Sequence, residues 1–158
     1  MSIRSQTGWP AFGGAPADMI EIDQLVSAYA HTVDANRYED NAKLFTEDGV
    51  MELLWQDAEG KLHPMNGGKG VKLTGNAARI RFQGMMGGNP PALPRKKNVA
   101  GHELINRIID VQDDTAMVRC YRVGGAMQYE IQLARTPQGW RFSVVQIIFD
   151  KDREFPQS

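Results

Sequence analysis

Four strand-length segments joined by short turns fill the last third of this chain, and they restrict its fold more than any other feature. Residues 99–111, 115–123, 127–135 and 140–149 are rich in β-branched and aromatic side chains. Their joins are Gln112-Asp113-Asp114, Gly124-Gly125 and Thr136-Pro137-Gln138-Gly139. Turns this short make each strand the antiparallel neighbour of the one before it, so the segments form a meander.

The front of the chain has a different period. Apolar residues recur at Ile22, Leu25, Val26, Tyr29, Ala30 and Val33, the spacing of a one-sided helix that begins near Pro16-Ala17-Asp18 and buries the face carrying Tyr29. Asp34 closes this helix, and Asn36-Arg37 make the break. A second helix is expected from Tyr38 to about Phe45, with Thr46-Glu47-Asp48-Gly49 as the turn that stops it. A strand then runs over 49–55, and Asp57-Ala58-Glu59-Gly60 reads as a hairpin turn whose return begins at Lys61-Leu62-His63. Thr74-Gly75-Asn76 caps a third helix reaching about Met86. Three prolines in GGNPPALPRKKN demand a loop. Helices first and a meander later define an α+β domain, with its helices on one face of the sheet.

At 158 residues the chain is one domain, long enough to enclose a core and a pocket. A net charge of −1 leaves no electrostatic footprint for nucleic acid, and Arg95-Lys96-Lys97 reads as a solvated loop because no aromatic residues interleave it. No apolar run approaches the ~18–20 residues of a membrane span. The N-terminus lacks the roughly 7–15-residue apolar core of a signal peptide, so a cytoplasmic location is the default expectation. The single cysteine, Cys120, excludes an intramolecular disulfide and reads as a small buried hydrophobe. Residues 1–16, with five Gly or Pro and the aromatics Trp9 and Phe12, are not expected to form a regular element. Packing of the two aromatics on the domain or a neighbour, and a disordered end, both fit that composition.

Three histidines, His31, His63 and His102, show no metal-ligand spacing, and Gly-Gly-Lys-Gly lacks the layout of a phosphate loop. No cofactor is therefore expected. Strand alternation within HELINRIIDV puts His102, Leu104, Asn106 and Ile108 on one face, so two polar groups join an apolar lining. Taken alone, a histidine on such a strand is more often a hydrogen-bonded core or edge residue than a site residue. Asp34 taken alone is likewise more often a helix-terminal capping residue than a catalytic carboxylate. His31 lies about 160° from Tyr29 around the first helix and is expected at the surface.

Three segments carry a family resemblance. IDQLVSAYAHTVDANRYEDNAKLFTEDGVMEL, HELINRIIDVQDDTAMV and YEIQLARTPQGWRFSVV, in this order and spacing, resemble the SnoaL-like branch of the nuclear-transport-factor-2-like superfamily. The resemblance covers about residues 18–150. It implies a cone-shaped α+β barrel in which a curved mixed sheet wraps the helices around one deep, mostly apolar pocket. Relatives include scytalone dehydratase, bile-acid dehydratases, a dehydrochlorinase, polyketide cyclases and ketosteroid-isomerase-like enzymes.

Several relatives pair an Asp from the end of the first helix with a His from the sheet, positions matched here by Asp34 and His102. Tyr29 matches the tyrosine that precedes the Asp in bile-acid dehydratases. The expected catalytic set is thus Asp34, His102 and Tyr29, with Asn106, Tyr121 and Gln146 as substrate-binding residues. The implied chemistry is a cofactor-independent lyase or isomerase acting on a small hydrophobic, aromatic or polycyclic substrate. The same fold also serves non-catalytic binding and assembly subunits. The family's usual pairing implies a homodimer through the open sheet face, with Met117, Arg119, Tyr121 and Tyr129 as contributors. Some relatives carry a pocket arginine on the last strand. Here that strand is expected to place Phe142, Val144 and Gln146 on one face and Ser143, Val145 and Ile147 on the other, which leaves anion stabilisation unassigned.

Overall fold

The computed structural model describes residues 2–3, 12–87, 101–123 and 127–156. Trp9, the proline-rich loop with Arg95-Lys96-Lys97, and Gly124-Gly125 lie outside them. Helix α1 (Pro16–Asp34) starts with proline in its first turn and buries Ile22, Val26, Tyr29 and Ala30, the stripe its period predicts. Helix α2 spans only Tyr38–Ala42, and strand β3 (Phe45–Gln56) begins earlier than the sequence suggests. The Thr46–Gly49 segment is a bulge in that strand, lying between the Phe45↔Phe142 and Val50↔Val144 pairs. A Cβ at Gly49 would stand 3.0 Å from the Phe142 carbonyl, so the bulge packs tightly there.

The remaining elements follow in order. Strands β4 (Leu62–Pro64) and β5 (Val71–Thr74) both pair with β3, helix α3 covers Asn76–Gly87, and β6 (Leu104–Gln112), β7 (Thr115–Arg122), β8 (Met127–Thr136) and β9 (Gly139–Phe149) form the expected antiparallel meander. Pairing of β9 with β3 is parallel, which makes the sheet mixed and wraps it into a cone around the helices. The N-terminal arm departs from expectation. Two-residue strands β1 (Ser2–Ile3) and β2 (Phe12–Gly13) pair with each other, and β2 adds to β6 at Gly13↔Asp110. At that position β2 covers part of the edge of β6, a role that side-chain periodicity does not reveal. Phe12 itself is exposed.

The core is an aromatic and aliphatic cluster. Trp140 and Phe142 are fully buried, and Phe142 meets Phe45 and Tyr29 edge-on at ring separations of 5.3 and 6.0 Å. Cys120 is also fully buried, and burial pushes its thiol up to about 11, so it stays protonated as a core hydrophobe. Asn41, 1% exposed, ties the three helices together. Its Nδ2 donates to the Tyr29 carbonyl (3.3 Å) and Thr32 Oγ1 (2.9 Å), and its Oδ1 accepts from Gln83 Nε2 on α3 (2.9 Å). The outer face of β6 and β7 leaves Ile105, Met117 and Tyr121 exposed, whereas Tyr129 is 1% exposed and faces inward. Tyr129 is thus no part of an outer contact face. No helix among the described residues is long and apolar enough to cross a membrane.

Charge holds the start of α1 to the β8–β9 hairpin. Asp18 accepts from Arg135 (2.8 and 3.0 Å) and from Trp140 Nε1 (3.0 Å), while Glu21 accepts the Trp140 backbone N–H (2.8 Å). Gly139 leaves room for Glu21, since a Cβ there would fall on its carboxylate. Hydrogen bonds from Arg135 and Trp140 lower the Asp18 carboxyl from 3.8 to about 2. A depressed folded-state value stabilises the fold above the unfolded value and is lost as pH falls. The stability gap between the native chain and Asp18→Asn should therefore be full above pH 3.8 and vanish as pH falls through about 2, measured by denaturant unfolding.

Candidate active site

Asp34 occupies the last turn of α1, where the helix dipole disfavours negative charge. The chain reverses immediately beyond it. Asn36 takes φ +57°, its N–H bonds the Val33 carbonyl, and Arg37 N–H bonds the Thr32 carbonyl. These two bonds end the helix in a Schellman motif, with asparagine as the left-handed residue. The motif fixes the direction in which the Asp34 side chain leaves the helix, toward the segment that leads into β6.

That segment supplies both partners from one residue. Asp34 Oδ2 accepts the His102 backbone N–H at 2.8 Å, and Oδ1 meets His102 Nδ1 at 2.6 Å. Gly101 permits the approach, because a Cβ at that position would fall on Oδ2 and lie 2.9 Å from the carboxylate carbon. Its backbone is not in the left-handed region, so the requirement for glycine is one of space. A carboxylate that accepts from Nδ1–H fixes the ring's tautomer and orientation. His102 lines the cavity, so the ring nitrogen that a bound molecule would meet is Nε2.

The cavity has a volume of about 420 Å³ and an apolar wall that includes Val33, Met51, Leu53, Phe82, Ile147 and Phe149. This is the size and character of a small-molecule site. Tyr29 and Tyr129 enter from α1 and β8 with ring centroids 6.2 Å apart. Burial raises the ionisation of both phenols, so both stay protonated and able to donate. Gln83 and Arg122 also line the wall. Among the described residues, no group of three His, Cys, Asp or Glu side chains is gathered to hold a metal ion.

Asp34, His102 and Tyr29 thus converge as expected, and the three residues assigned to substrate binding do not join them. Asn106 is exposed at φ +54°, in a bulge of β6 between the Ile105↔Tyr121 and Ile108↔Arg119 pairs. The extra residue exchanges the two faces of the strand beyond it. Arg107, expected on the opposite face from Asn106, turns toward α1 and donates to Asp23 Oδ1 (2.7 Å), the Asp23 carbonyl (2.9 Å) and Ser27 Oγ (2.9 Å). Tyr121 alternates with buried Cys120 and points outward, 48% exposed. Gln146 pairs with Glu52 and donates to its carboxylate at 3.0 Å, on the outer face.

The expected faces of β9 are corrected too. An irregularity between Phe142 and Val144 puts Phe142 on the same inner side as Val145 and Ile147. His31 is exposed as expected. His63 forms a second Asp–His pair, 2.6 Å from Asp57 and stacked 4.5 Å from Trp55 on the β3–β4 hairpin. It is not among the cavity-lining residues, and Asp57 also accepts the backbone N–H groups of Glu59 and Lys61, which gives that pair a turn-forming role. Sequence alternation does contain the signal for Arg122: with Val118 and Cys120 inward, Arg122 follows on the same face.

Similarity to known proteins agrees with this architecture. Residues 16–146 match the SnoaL-like domain family. An NTF2-like protein with a cystatin-like fold from Novosphingobium aromaticivorans is 22% identical, with a TM-score of 0.60 over 84% of this chain and 82% of its own. A candidate dehydratase of the NTF2-like family from Streptomyces avermitilis is 17% identical, with a TM-score of 0.59 over 87% of this chain and 99% of its own. A candidate scytalone dehydratase from Novosphingobium aromaticivorans is 19% identical, with a TM-score of 0.58 over 90% of this chain and 91% of its own. These likenesses establish the fold alone. No curated protein matches the chain. With the family pattern spanning α1 to β9 and the helices enclosed by a curled mixed sheet, the chain belongs to the SnoaL-like domain family.

Proposed function

We propose that this chain is a lyase or isomerase that takes a proton from carbon on a small hydrophobic, aromatic or polycyclic substrate, with no cofactor in the step. The observation that carries the reading is the 2.6 Å contact between Asp34 and His102 Nδ1 at the wall of an apolar cavity. Neutral His102 accepts the proton at Nε2. Asp34 then stabilises the imidazolium that forms, without itself taking the proton. Tyr29 donates a hydrogen bond to a substrate carbonyl or leaving hydroxyl. The apolar walls exclude water, which strengthens each of these interactions. Loss of a leaving group from the resulting carbanion is a dehydratase-type elimination; return of the proton elsewhere is an isomerisation.

A homodimer through the outer sheet face belongs to the same reading. The paired, exposed Ile105 and Tyr121, with Met117 two turns of the pleat away, form an apolar stripe there. In sedimentation velocity, Met117→Asp with Tyr121→Asp should convert a dimer to a monomer; a native chain that sediments as a monomer refutes the pairing.

The chemistry is testable before the substrate is identified, because proton abstraction from a bound compound washes deuterium from D2O into its acidic C–H position. Asp34→Asn should slow this exchange by roughly 10²–10⁴-fold with the fold intact. A variant that exchanges as fast as the native chain sinks the mechanism. If the native chain binds candidate compounds but exchanges none of them, a binding role replaces the catalytic one. Gly101→Ala is backbone-compatible yet displaces the Asp34 carboxylate, and a misplacement of about 1 Å should cost roughly 10²-fold in exchange. Native-like exchange in that variant would show that the close Gly101–Asp34 approach is irrelevant to the site.

A further inference from the structure

Strand β7 sends Ala116, Val118 and Cys120 to the inner face, all buried, and Arg122 continues that series at the strand end. Its register neighbours are Leu104 on β6 and Met127 on β8, both buried. Arg122 is half-buried and lines the cavity that contains His102. No ion pair or hydrogen bond engages it among the described residues. The other arginine of that wall, Arg153, is matched by Asp150 at 2.9 Å. A partly desolvated cation with unmatched donors is costly unless an anion meets it.

Two phenols complete the set. The Tyr29 and Tyr129 rings meet edge-on at 71°, and neither hydroxyl has a hydrogen-bond partner among the described residues. Neither is walled in, so both reach the cavity their side chains line. Burial raises the ionisation of each, and the positive charge of Arg122 pulls against that rise in both. The remaining ionisable groups on the wall are Tyr38, His102, Arg153 and Glu154, with the Asp34 carboxylate behind His102.

We propose that Arg122, with the hydroxyls of Tyr29 and Tyr129, forms an oxyanion site beside His102, and that the ligand is a conjugated compound with a phenolate oxygen or a carbonyl that becomes an enolate. The assignment of a reaction step to this site rests on the proton-abstraction reading; the anion site itself does not. In that step the C–H proton goes to His102 Nε2 and the C–H electron pair moves through the conjugated system onto oxygen. Arg122 and the two phenols then hold that charge where it develops. This fills the gap left by the absence of an arginine on the inner face of β9.

The test is a pair of matched probes, 4-nitrophenolate and 4-nitroanisole, titrated calorimetrically at a pH where the free phenol is ionised. The native chain should bind the phenolate roughly 10- to 100-fold more tightly than the anisole, the range expected for charge-assisted hydrogen bonds. Arg122→Met should remove most of that preference while the anisole affinity stays within about two-fold, which also verifies the fold of the variant. Tyr129→Phe should weaken phenolate binding several-fold with no change in anisole binding, and it decides the matter if Arg122→Met does not fold. Equal binding of the two probes by the native chain, or a preference that survives these substitutions, overturns the site. In His102→Gln the phenolate preference should persist although deuterium exchange is lost, which separates failure of the anion site from failure of the lyase reading.

Discussion

Helix α1 is pinned along its whole length by carboxylates, and the geometry of the site depends on that anchoring. Asp18 and Glu21 hold its first turns to the β8–β9 hairpin, Asp23 takes the Arg107 guanidinium at mid-length, and Asp34 grips His102 at its end. Apolar packing of Ile22, Val26 and Tyr29 supplies most of the driving force but little axial precision. Each directional bond fixes the sliding and rotation that a greasy interface leaves free. Hydrogen bonds between charged partners are shorter and stronger than neutral ones, so the anchors hold the helix in one register while the apolar face holds it in place.

Much of this fold was legible in the sequence because its elements are long and strictly periodic. The 19-residue helix and the four meander strands announce themselves by spacing, and helix-first order settles the class. What stayed illegible was wherever the pleat breaks. One residue at φ +54°, Asn106, exchanges the two faces of β6, sends its own side chain to solvent and turns Arg107 onto α1. The irregularity after Phe142 has the same effect on β9. Asparagine tolerates the left-handed conformation, but Asn within a strand does not by itself signal a bulge. Short β-bridges of the N-terminal arm were invisible for a different reason: they rest on backbone hydrogen bonds, which leave no trace in side-chain pattern.

The site divides along the same line. Asp34, His102 and Tyr29 were reachable from their positions at a helix end, a strand entry and a buried helical face. Asn106 and Gln146 were misplaced by bulges, and Tyr121 was misplaced although plain alternation with Cys120 sends it outward. Arg122 follows from that same alternation. Gly101 carries its information only in three dimensions, since nothing in Ala-Gly-His shows that the carboxylate of Asp34, far earlier in the chain, will press against it.

Because one carboxylate oxygen is bound to the backbone of His102, half of the dyad does not depend on the imidazole. Any residue placed at 102 other than proline still offers that N–H, and the Asp34 carboxylate would keep its aim over an emptied ring-sized space. A chain shortened to alanine there would have the shape of a receptor for free imidazole, with a fixed acceptor at one end and the substrate cavity at the other. The cost of losing the base would then be partly repairable from solution, a property that a dyad held by side chains alone does not share.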